Sequence, residues 1–191
     1  EKDFPRGFNG VSVMFNQYFK NQDKKFAAKK LEYKYRDVVS ESVKVLASPI
    51  FEAKYNLVKK QDADALLQTQ FPKCPNLLAD LIDNNILLKT KSQFSDEKED
   101  YVVFSYQRIS DFIIAREIVK NYEDWKSFTD SINTDKALRE VIVETHWLYK
   151  GILEVFATLI PEMFCHEITD LIKFIPKDKL NRNYSQCLNF L

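Results

Sequence analysis

Glycine is so scarce in this chain that it limits the folds open to it. Only Gly7, Gly10 and Gly151 occur in 191 residues. A sheet protein rich in tight turns generally needs more glycine, because glycine supplies positive φ angles without a steric cost. The scarcity therefore favours a mainly helical fold. It also excludes Gly-rich phosphate loops, since neither GxxxxGK[ST] nor GxGxxG can be written in this sequence.

Charge and cysteine content predict a cytoplasmic protein without a general affinity for polyanions. Basic and acidic residues number 28 each, so net charge directs the chain neither to nucleic acid nor to a membrane. Cys74, Cys165 and Cys187 form no CxxC pair, which favours reduced thiols over a disulfide scaffold. No apolar run approaches the ~20 residues that span a bilayer. The absence of an initiator Met suggests a mature form or a piece of a longer protein.

The hydrophobic pattern divides the chain into three segments. Residues 1–48 follow helical spacing, and Pro49 is expected to end or kink their second helix. Residues 124–191 are helical again, with Pro161 ending one helix and beginning the next. We expect this last segment to open a solenoid of helix pairs that continues further.

A run of basic residues lies between Lys24 and Arg36 in the first segment. Such runs are usually solvated helix faces, and we interpret this one in the same way. A nucleic-acid patch is the minority alternative.

The middle segment, residues 49–123, has the pattern of a winged helix. Two short helices, "DADALLQTQF" and "NLLADLIDNN", precede two strands, "ILLKTK" and "DYVVFSYQ", around a polar loop. Asn84 or Asn85 suits the end of the second helix. Helix, turn, helix and ribbon in this order are typical of a winged helix. The predicted fold is mainly α, with helices around a central winged-helix module that has a two-stranded β-ribbon, followed by a solenoid-like helical segment.

Residues 102–119, "VVFSYQRISDFIIAREIV", pass from a strand pattern to a helix pattern with no turn residue between. The first half alternates, which places Tyr106 on the same face as Val102 and Phe104 and predicts its burial. The second half follows one helical stripe. Its members are Ile109, Phe112, Ile113, Val119 and Tyr122. Ser110 or Asp111 is expected to cap this helix, with Asp111 suited to the positive end of its dipole.

Candidate catalytic and metal-binding groups are few. "HEITD" places His166 and Asp170 on one helix face, a distant likeness to zinc-binding HExxH helices that lacks the second histidine. Ordinary surface charges are the better interpretation, and we expect neither a metal site nor catalysis by this chain. The second short helix carries Asp80 and Asp83 and no basic residue. Phosphates would be repelled there, so DNA binding through this helix is disfavoured.

Residues 102–115, "VVFSYQRISDFIIA", resemble the end of the winged-helix domain in STAND-class signalling NTPases, which include the NACHT proteins. NACHT proteins typically carry F-x-H, an aromatic or apolar residue, and E-F-x-x-A at this point. Here the apolar positions of this motif are matched by Phe104, Ile109, Phe112 and Ala115. Asp111 takes the place of the acidic residue, and Tyr106 takes the place of the histidine. The usual form in bacterial antiviral STAND ATPases, F-x-Y-x-R-x-S/F-D-x-x-I-A, looks closest.

Three other stretches resemble parts of the same family in the same order. "FPRGFNGVSVMFNQYF" is similar to the segment that leaves the ATPase core, and "LLADLIDNNILLK" to the helix that precedes the ribbon. "GILEVFATLIPEMFCHEITDLI" is similar to the start of the helical region after the winged helix. The resemblance implies that 1–48 follows an ATPase core, 49–123 is the winged helix, and 124–191 begins C-terminal repeats.

The resemblance also implies a function. STAND proteins are ATP-dependent switches in which repeats sense a ligand and release the core to oligomerise. By position, Tyr106 and Arg108 are the candidates for sensing nucleotide. Their own sequence context favours core packing for Tyr106 and an exposed salt bridge for Arg108 over that role. ATP and Mg²⁺ would bind the full-length protein and not this fragment. The implied partners are its own ATPase core and its sensor repeats, and a protein ligand is possible. Nucleic acid is disfavoured, and no membrane is expected.

Two other interpretations remain open at the level of sequence. The chain could be a free-standing winged-helix protein that binds nucleic acid, for which steeply salt-dependent DNA binding is the signature. It could also be a helical scaffold whose likeness to STAND proteins is accidental.

Overall fold

A computed structural model of the chain has mainly helical architecture with one small antiparallel sheet, as glycine scarcity predicted. It describes residues 10–34, 37–53, 57–91, 99–143 and 149–175. The chain divides into two compact units, Met14–Ser110 and Glu1–Val13 together with Asp111–Leu191. No helix among the described residues is both long and apolar enough to cross a membrane.

The unit Met14–Ser110 combines helices with the sheet. Its elements are α1 (Gly10–Lys29, which begins before the unit), a 3₁₀ turn (Leu31–Tyr33), α2 (Val38–Glu52), β1 (Val58–Lys59), α3 (Lys60–Gln70), α4 (Leu77–Asp83), β2 (Leu87–Lys91) and β3 (Asp100–Phe104). Apolar side chains from each element are buried. Phe26, Val43, Leu46, Leu67, Leu81 and Val102 are among those that are almost fully inaccessible.

The sheet has three strands in the order β1-β3-β2, all antiparallel. Val58 of β1 pairs with Val102 of β3, and Leu87 of β2 pairs with Phe104. β2 and β3 form the predicted two-stranded ribbon, and β1 adds a third strand that the predicted ribbon did not include. Because β1 has only two residues, it shows no alternation by which its pairing could have been recognised.

The end of α4 follows the prediction for Asn85. Asn85 has a φ of 56°, in the left-handed region that asparagine tolerates better than most residues. Its N–H donates to the Ile82 carbonyl at 2.9 Å, and the Ile86 N–H donates to the Leu81 carbonyl at 2.9 Å. These two bonds form a Schellman motif, which ends the helix and turns the chain directly into β2.

The unit that contains Asp111–Leu191 is helical wherever it has regular structure among the described residues. Its elements are the larger part of α5 (Gln107–Val119), α6 (Trp125–Ser131), α7 (Lys136–Leu138) with a π-helical continuation (Arg139–Val143), α8 (Lys150–Phe164) and a 3₁₀ helix (Ile168–Phe174). An aromatic group forms part of its core. Phe128 lies 5.4 Å from Tyr122, 5.3 Å from Phe164 and 6.2 Å from Phe156, measured between ring centroids.

Two prolines lie inside helices, Pro49 in α2 and Pro161 in α8. The prediction that Pro161 separates two helices was therefore wrong. The alternative that Pro49 ends α2 was also wrong. α2 continues to Glu52 and α8 to Phe164, three residues past each proline. The Ala53 N–H donates to the Pro49 carbonyl at 3.0 Å, and the Cys165 N–H to the Pro161 carbonyl at 3.2 Å. Proline disrupts the preceding turn of a helix, but its own carbonyl still accepts a bond from the following turn.

Candidate functional site

The junction between β3 and α5 carries the two residues predicted to sense nucleotide. β3 ends at Phe104, Ser105 and Tyr106 form a bend, and α5 begins at Gln107. The Ser105 N–H donates to the Ile86 carbonyl at 3.1 Å, which holds the bend against the start of β2. The Tyr106 carbonyl then accepts from the Ile109 and Ser110 N–H groups at 3.0 and 3.2 Å. The strand thus passes into the helix without any positive φ.

Tyr106 is exposed, and the prediction that it packs in the core was wrong. Its relative exposure is 62%, whereas Val102 and Phe104 are buried as predicted. Alternation of side chains requires an extended backbone, and the strand ends two residues before Tyr106. The bend turns its side chain outward, and Arg108 in the first turn of α5 is exposed as well.

Tyr18 of α1 lies close to Tyr106 at this junction. Burial raises the pKa of the Tyr18 phenol, the nearby Tyr106 phenol raises it further, and a hydrogen bond with Gln22 lowers it. Two phenols and an amide offer hydrogen-bond donors and acceptors but no base or nucleophile that is active at neutral pH.

Asp111 does not cap α5, which corrects the predicted role of Ser110 and Asp111. α5 begins at Gln107, so both residues lie beyond its free N–H groups, and both side chains are buried. The Asp111 carboxylate instead lies against Gly151 in the first turn of α8. A β-carbon on Gly151 would come within 2.6 Å of Asp111 Cγ and closer still to Oδ2.

This position brings the Asp111 carboxyl group to the N-terminal end of α8. The residue that precedes α8, Tyr149, makes no side-chain cap, and the first turn of α8 holds no acidic residue. A carboxylate near a helix N-terminus is stabilised by the helix dipole, so Asp111 supplies from α5 what α8 lacks locally. Gly151 is required here because only glycine leaves room for the carboxylate.

Asp23 performs the corresponding task for α2, and the sequence patterns did not reveal it. Its Oδ1 accepts from the Val39 and Ser40 N–H groups at 2.7 and 3.2 Å, and its Oδ2 accepts from the Ser40 hydroxyl. Burial raises the pKa of Asp23, while the bonds from Ser40 and Val39 oppose that rise. The only available signal was an acidic residue at a buried position of α1.

α4, the helix that would read DNA in a winged helix, is occupied by contacts within its own unit. Asp80 accepts from the Lys30 ammonium and from the Tyr33 hydroxyl. Burial, together with the bond to Asp80, raises the pKa of Tyr33 strongly. The exposed positions of α4 are Ala79 and Asp83, neither of which attracts a phosphate.

His166 and Asp170 form a pair on the surface. His166 Nδ1 lies 3.2 Å from Asp170 Oδ2, and this contact lowers the pKa of Asp170. The imidazole stacks on Trp125 at 4.4 Å between centroids. No group of three His, Cys, Asp or Glu side chains among the described residues could hold a metal ion. Cys74 is buried and Cys165 exposed, each as a thiol, and Cys187 lies outside the described residues.

No protein-family model, curated protein or solved structure matches this chain. The resemblance of residues 102–115 to STAND NTPases therefore rests on their own pattern. Its apolar members Phe104, Phe112 and Ala115 are buried and Ile109 is half-buried. Its polar members separate into exposed Tyr106 and Arg108 and buried Asp111.

Proposed function

We propose that this chain is a regulatory, protein-interaction part of a bacterial STAND-type NTPase, with a winged helix at its centre. It would serve a cytoplasmic signalling or antiviral switch. The chain itself would not hydrolyse ATP, and the ATPase core with its ATP and Mg²⁺ would be supplied by another part of the same protein. The observation that carries the proposal is the motif at residues 102–115, with its apolar members packed and Tyr106 and Arg108 exposed.

The order of elements supports the winged-helix part of the proposal. A helix (α2) is followed by a short strand (β1), two helices (α3, α4) and an antiparallel ribbon (β2, β3). The short strand pairs with the last strand, which gives the order β1-β3-β2. Helix–turn–helix followed by a ribbon is the arrangement that defines winged helices among small helical domains.

The charges on α4 favour a protein partner over DNA. A recognition helix needs Arg, Lys, Asn or Gln side chains directed into the major groove. Asp80 is engaged with Lys30 and Tyr33, and the exposed Asp83 would repel phosphates. The module is therefore proposed to pack against other domains of the same protein.

In the proposed mechanism the winged helix is a rigid element of a two-state switch. Nucleotide would bias its position from the side of the ATPase core, and a sensed ligand would bias it from the side of the repeats. Tyr106 and Arg108 are the exposed polar groups of the motif, so they are the proposed points of contact with the nucleotide-bearing core.

The test uses the complete protein that contains this chain. Arg108→Ala should raise the dissociation constant for ATP, by about tenfold for a typical coupling between two sites. Arg139→Ala is the matched control, because Arg139 is also exposed but lies outside the motif. The proposal fails if the complete protein binds no nucleotide, or if both variants bind ATP as the unmodified protein does.

The alternative of a free-standing winged-helix DNA binder makes a different prediction. Its affinity for duplex DNA would depend on α4 and on the ribbon lysines Lys89 and Lys91. Duplex binding that is lost in Lys89→Gln/Lys91→Gln would favour this alternative over the proposed function. Lys89 is already paired with Asp100 at 2.7 Å, which weakens its attraction for phosphate.

A further inference from the structure

We propose that α1 carries a second binding surface, directed to the phosphate backbone of double-stranded nucleic acid. The surface is the lysine face of α1, defined as Lys20, Lys24, Lys25 and Lys29, and all four residues are exposed. It adjoins the end of α4 where Lys29 contacts Asn84, and it goes beyond the proposed function. Binding there would be independent of base sequence, because lysines that contact phosphates interact with the charge of the backbone and not with the bases.

The lysine face lies opposite the buried side of α1. Phe19, Asp23 and Phe26 point inward, with at most 5% exposure each. At 100° per residue, Lys20 and Lys24 form one row along the outer half of the helix, and Lys25 and Lys29 form another. The face is about 14 Å long at 1.5 Å per residue, comparable with four base-pair rises of a duplex.

The positive charges of Lys20, Lys24 and Lys25 are not compensated by ion pairs among the described residues, whereas Lys29 lies close to the acidic end of α4. Asp23 is the only acidic residue of α1, and its carboxylate is directed inward to the start of α2. In the part of the chain that the structure describes, no carboxylate forms an ion pair with Lys20, Lys24 or Lys25. The Lys29 ammonium donates to the Asn84 side-chain oxygen, which is neutral, at 2.5 Å.

The structure also regroups the basic residues that are adjacent in sequence. Lys30 belongs to the run that begins at Lys24, yet it is paired with Asp80 and leaves the face. Lys20 lies outside that run in sequence but joins the face one turn before Lys24. A run read along the sequence thus becomes two parallel rows on the exposed half of α1.

The strip between the two lysine rows determines the kind of partner. It is formed by Gln17, Asn21 and Ala28, and Gln17 donates to the Asn21 side-chain oxygen at 2.9 Å. It contains no Trp, Tyr or Arg, the residues that anchor most protein interfaces, whereas lysine is depleted from such interfaces. Lysine and amide side chains together are typical contacts of a phosphate backbone.

A membrane surface is a poorer fit for the same face. An amphipathic helix binds a bilayer by inserting its apolar side, but Phe19 and Phe26 on the apolar side of α1 are buried, and the exposed Val13 and Met14 lie near the start of the helix, before the lysine face. An acidic protein segment would find charge here, but Ala28 is the apolar residue between the rows, and the exposed Met14 lies one turn before Gln17, outside the lysine face. Duplex backbone is therefore the partner that the face fits best.

The test compares the intact chain with two triple variants by fluorescence anisotropy, using a labelled 20-base-pair DNA duplex. The first variant is Lys20→Gln/Lys24→Gln/Lys25→Gln, which leaves the Lys29–Asn84 contact in place. The charge-matched control is Lys120→Gln/Lys126→Gln/Lys136→Gln, three exposed lysines of the other unit. Circular dichroism and thermal unfolding establish that both variants are folded.

We expect weak binding by the intact chain at 50 mM salt, in the range of non-specific complexes. The α1 variant should lose about tenfold or more in affinity, and its slope of log affinity against log salt should be shallower by about 2 to 3. The control variant should retain most of the affinity and the original slope.

Three results would overturn the proposal. They are no duplex binding by the intact chain at 25 mM salt, equal binding by the two variants, and tighter binding to polyglutamate or to vesicles with 30% phosphatidylserine than to duplex. Failure here leaves the proposed function intact, because that function is tested through nucleotide binding and Arg108.

Discussion

Asp23 and Asp111 are both buried aspartates that serve the start of a helix other than their own. Asp23 lies on α1 and accepts two backbone N–H groups at the start of α2. Asp111 lies on α5 and contacts the first turn of α8 at Gly151. In each case the receiving helix has no side-chain cap of its own.

The two aspartates differ in what the receiving helix contributes. α2 offers N–H groups and the Ser40 hydroxyl, so Asp23 depends on hydrogen bonds. α8 offers space, because Gly151 has no side chain where the Asp111 carboxylate lies. The free energy of unfolding should therefore decrease when the Asp23 carboxylate is removed. It should also decrease when Gly151 is replaced by any larger residue.

The largest effect is expected for Asp23→Ala. Two N–H groups and a hydroxyl would lose their acceptor in a buried place, which should lower the free energy of unfolding by about 3 kcal/mol. Asp37→Ala is the matched control, since Asp37 precedes α2 but makes no cap. Urea unfolding should show a change within about 0.5 kcal/mol for the control. Equal losses in the two variants would refute the role of Asp23.

Gly151→Ala should have the next largest effect. Alanine usually stabilises a helix by about 1 kcal/mol relative to glycine, but overlap with Asp111 should make this change destabilising by about 2 kcal/mol. The double variant Asp111→Ala/Gly151→Ala provides the check. Because the overlap is then removed, it should be no less stable than Asp111→Ala alone, and an additive loss would contradict the contact.

The pH dependence of stability should separate Asp23 from surface aspartates. Its pKa is raised by burial, so between the usual Asp range and this raised value the folded chain binds more protons than the unfolded chain. Stability therefore decreases as pH rises through that window. Asp23→Asn should remove this decrease when urea unfolding is compared between pH 3.5 and 7. An unchanged profile would show that Asp23 does not titrate in this way.

Asp124 should give the smallest effect and the opposite sign with pH. It caps α6 locally in a capping box with Ser127, and these bonds lower its pKa. Its contribution is present at neutral pH and is lost as pH falls through the lowered pKa. Asp124→Ala should cost less than Asp23→Ala at pH 7, and the difference from the unmodified chain should shrink in acid. A loss as large as that of Asp23→Ala would contradict the distinction.

The contrast between caps made by neighbouring residues and caps made by distant residues also explains which features could be predicted from the sequence. Features set by neighbouring residues were predicted correctly, such as the left-handed Asn85 and the burial of Val102 and Phe104. Features set by distant partners were not, because no local pattern links Asp23 to Val39. The burial predicted for Tyr106 was wrong because the alternation of side chains was extended two residues past the end of β3. Asp111 was assigned to α5 as a cap because nothing in the local sequence indicated that it contacts Gly151 of α8.

The central claim, that this chain belongs to a STAND-type NTPase, is tested most directly by the complete reading frame that encodes it and by the activity of its product. We predict a GxxxxGK[ST] motif between a strand and a helix upstream of Glu1, and ATP hydrolysis by the protein that includes it. A reading frame without such a motif, or ATP turnover by residues 1–191 alone, would contradict the claim.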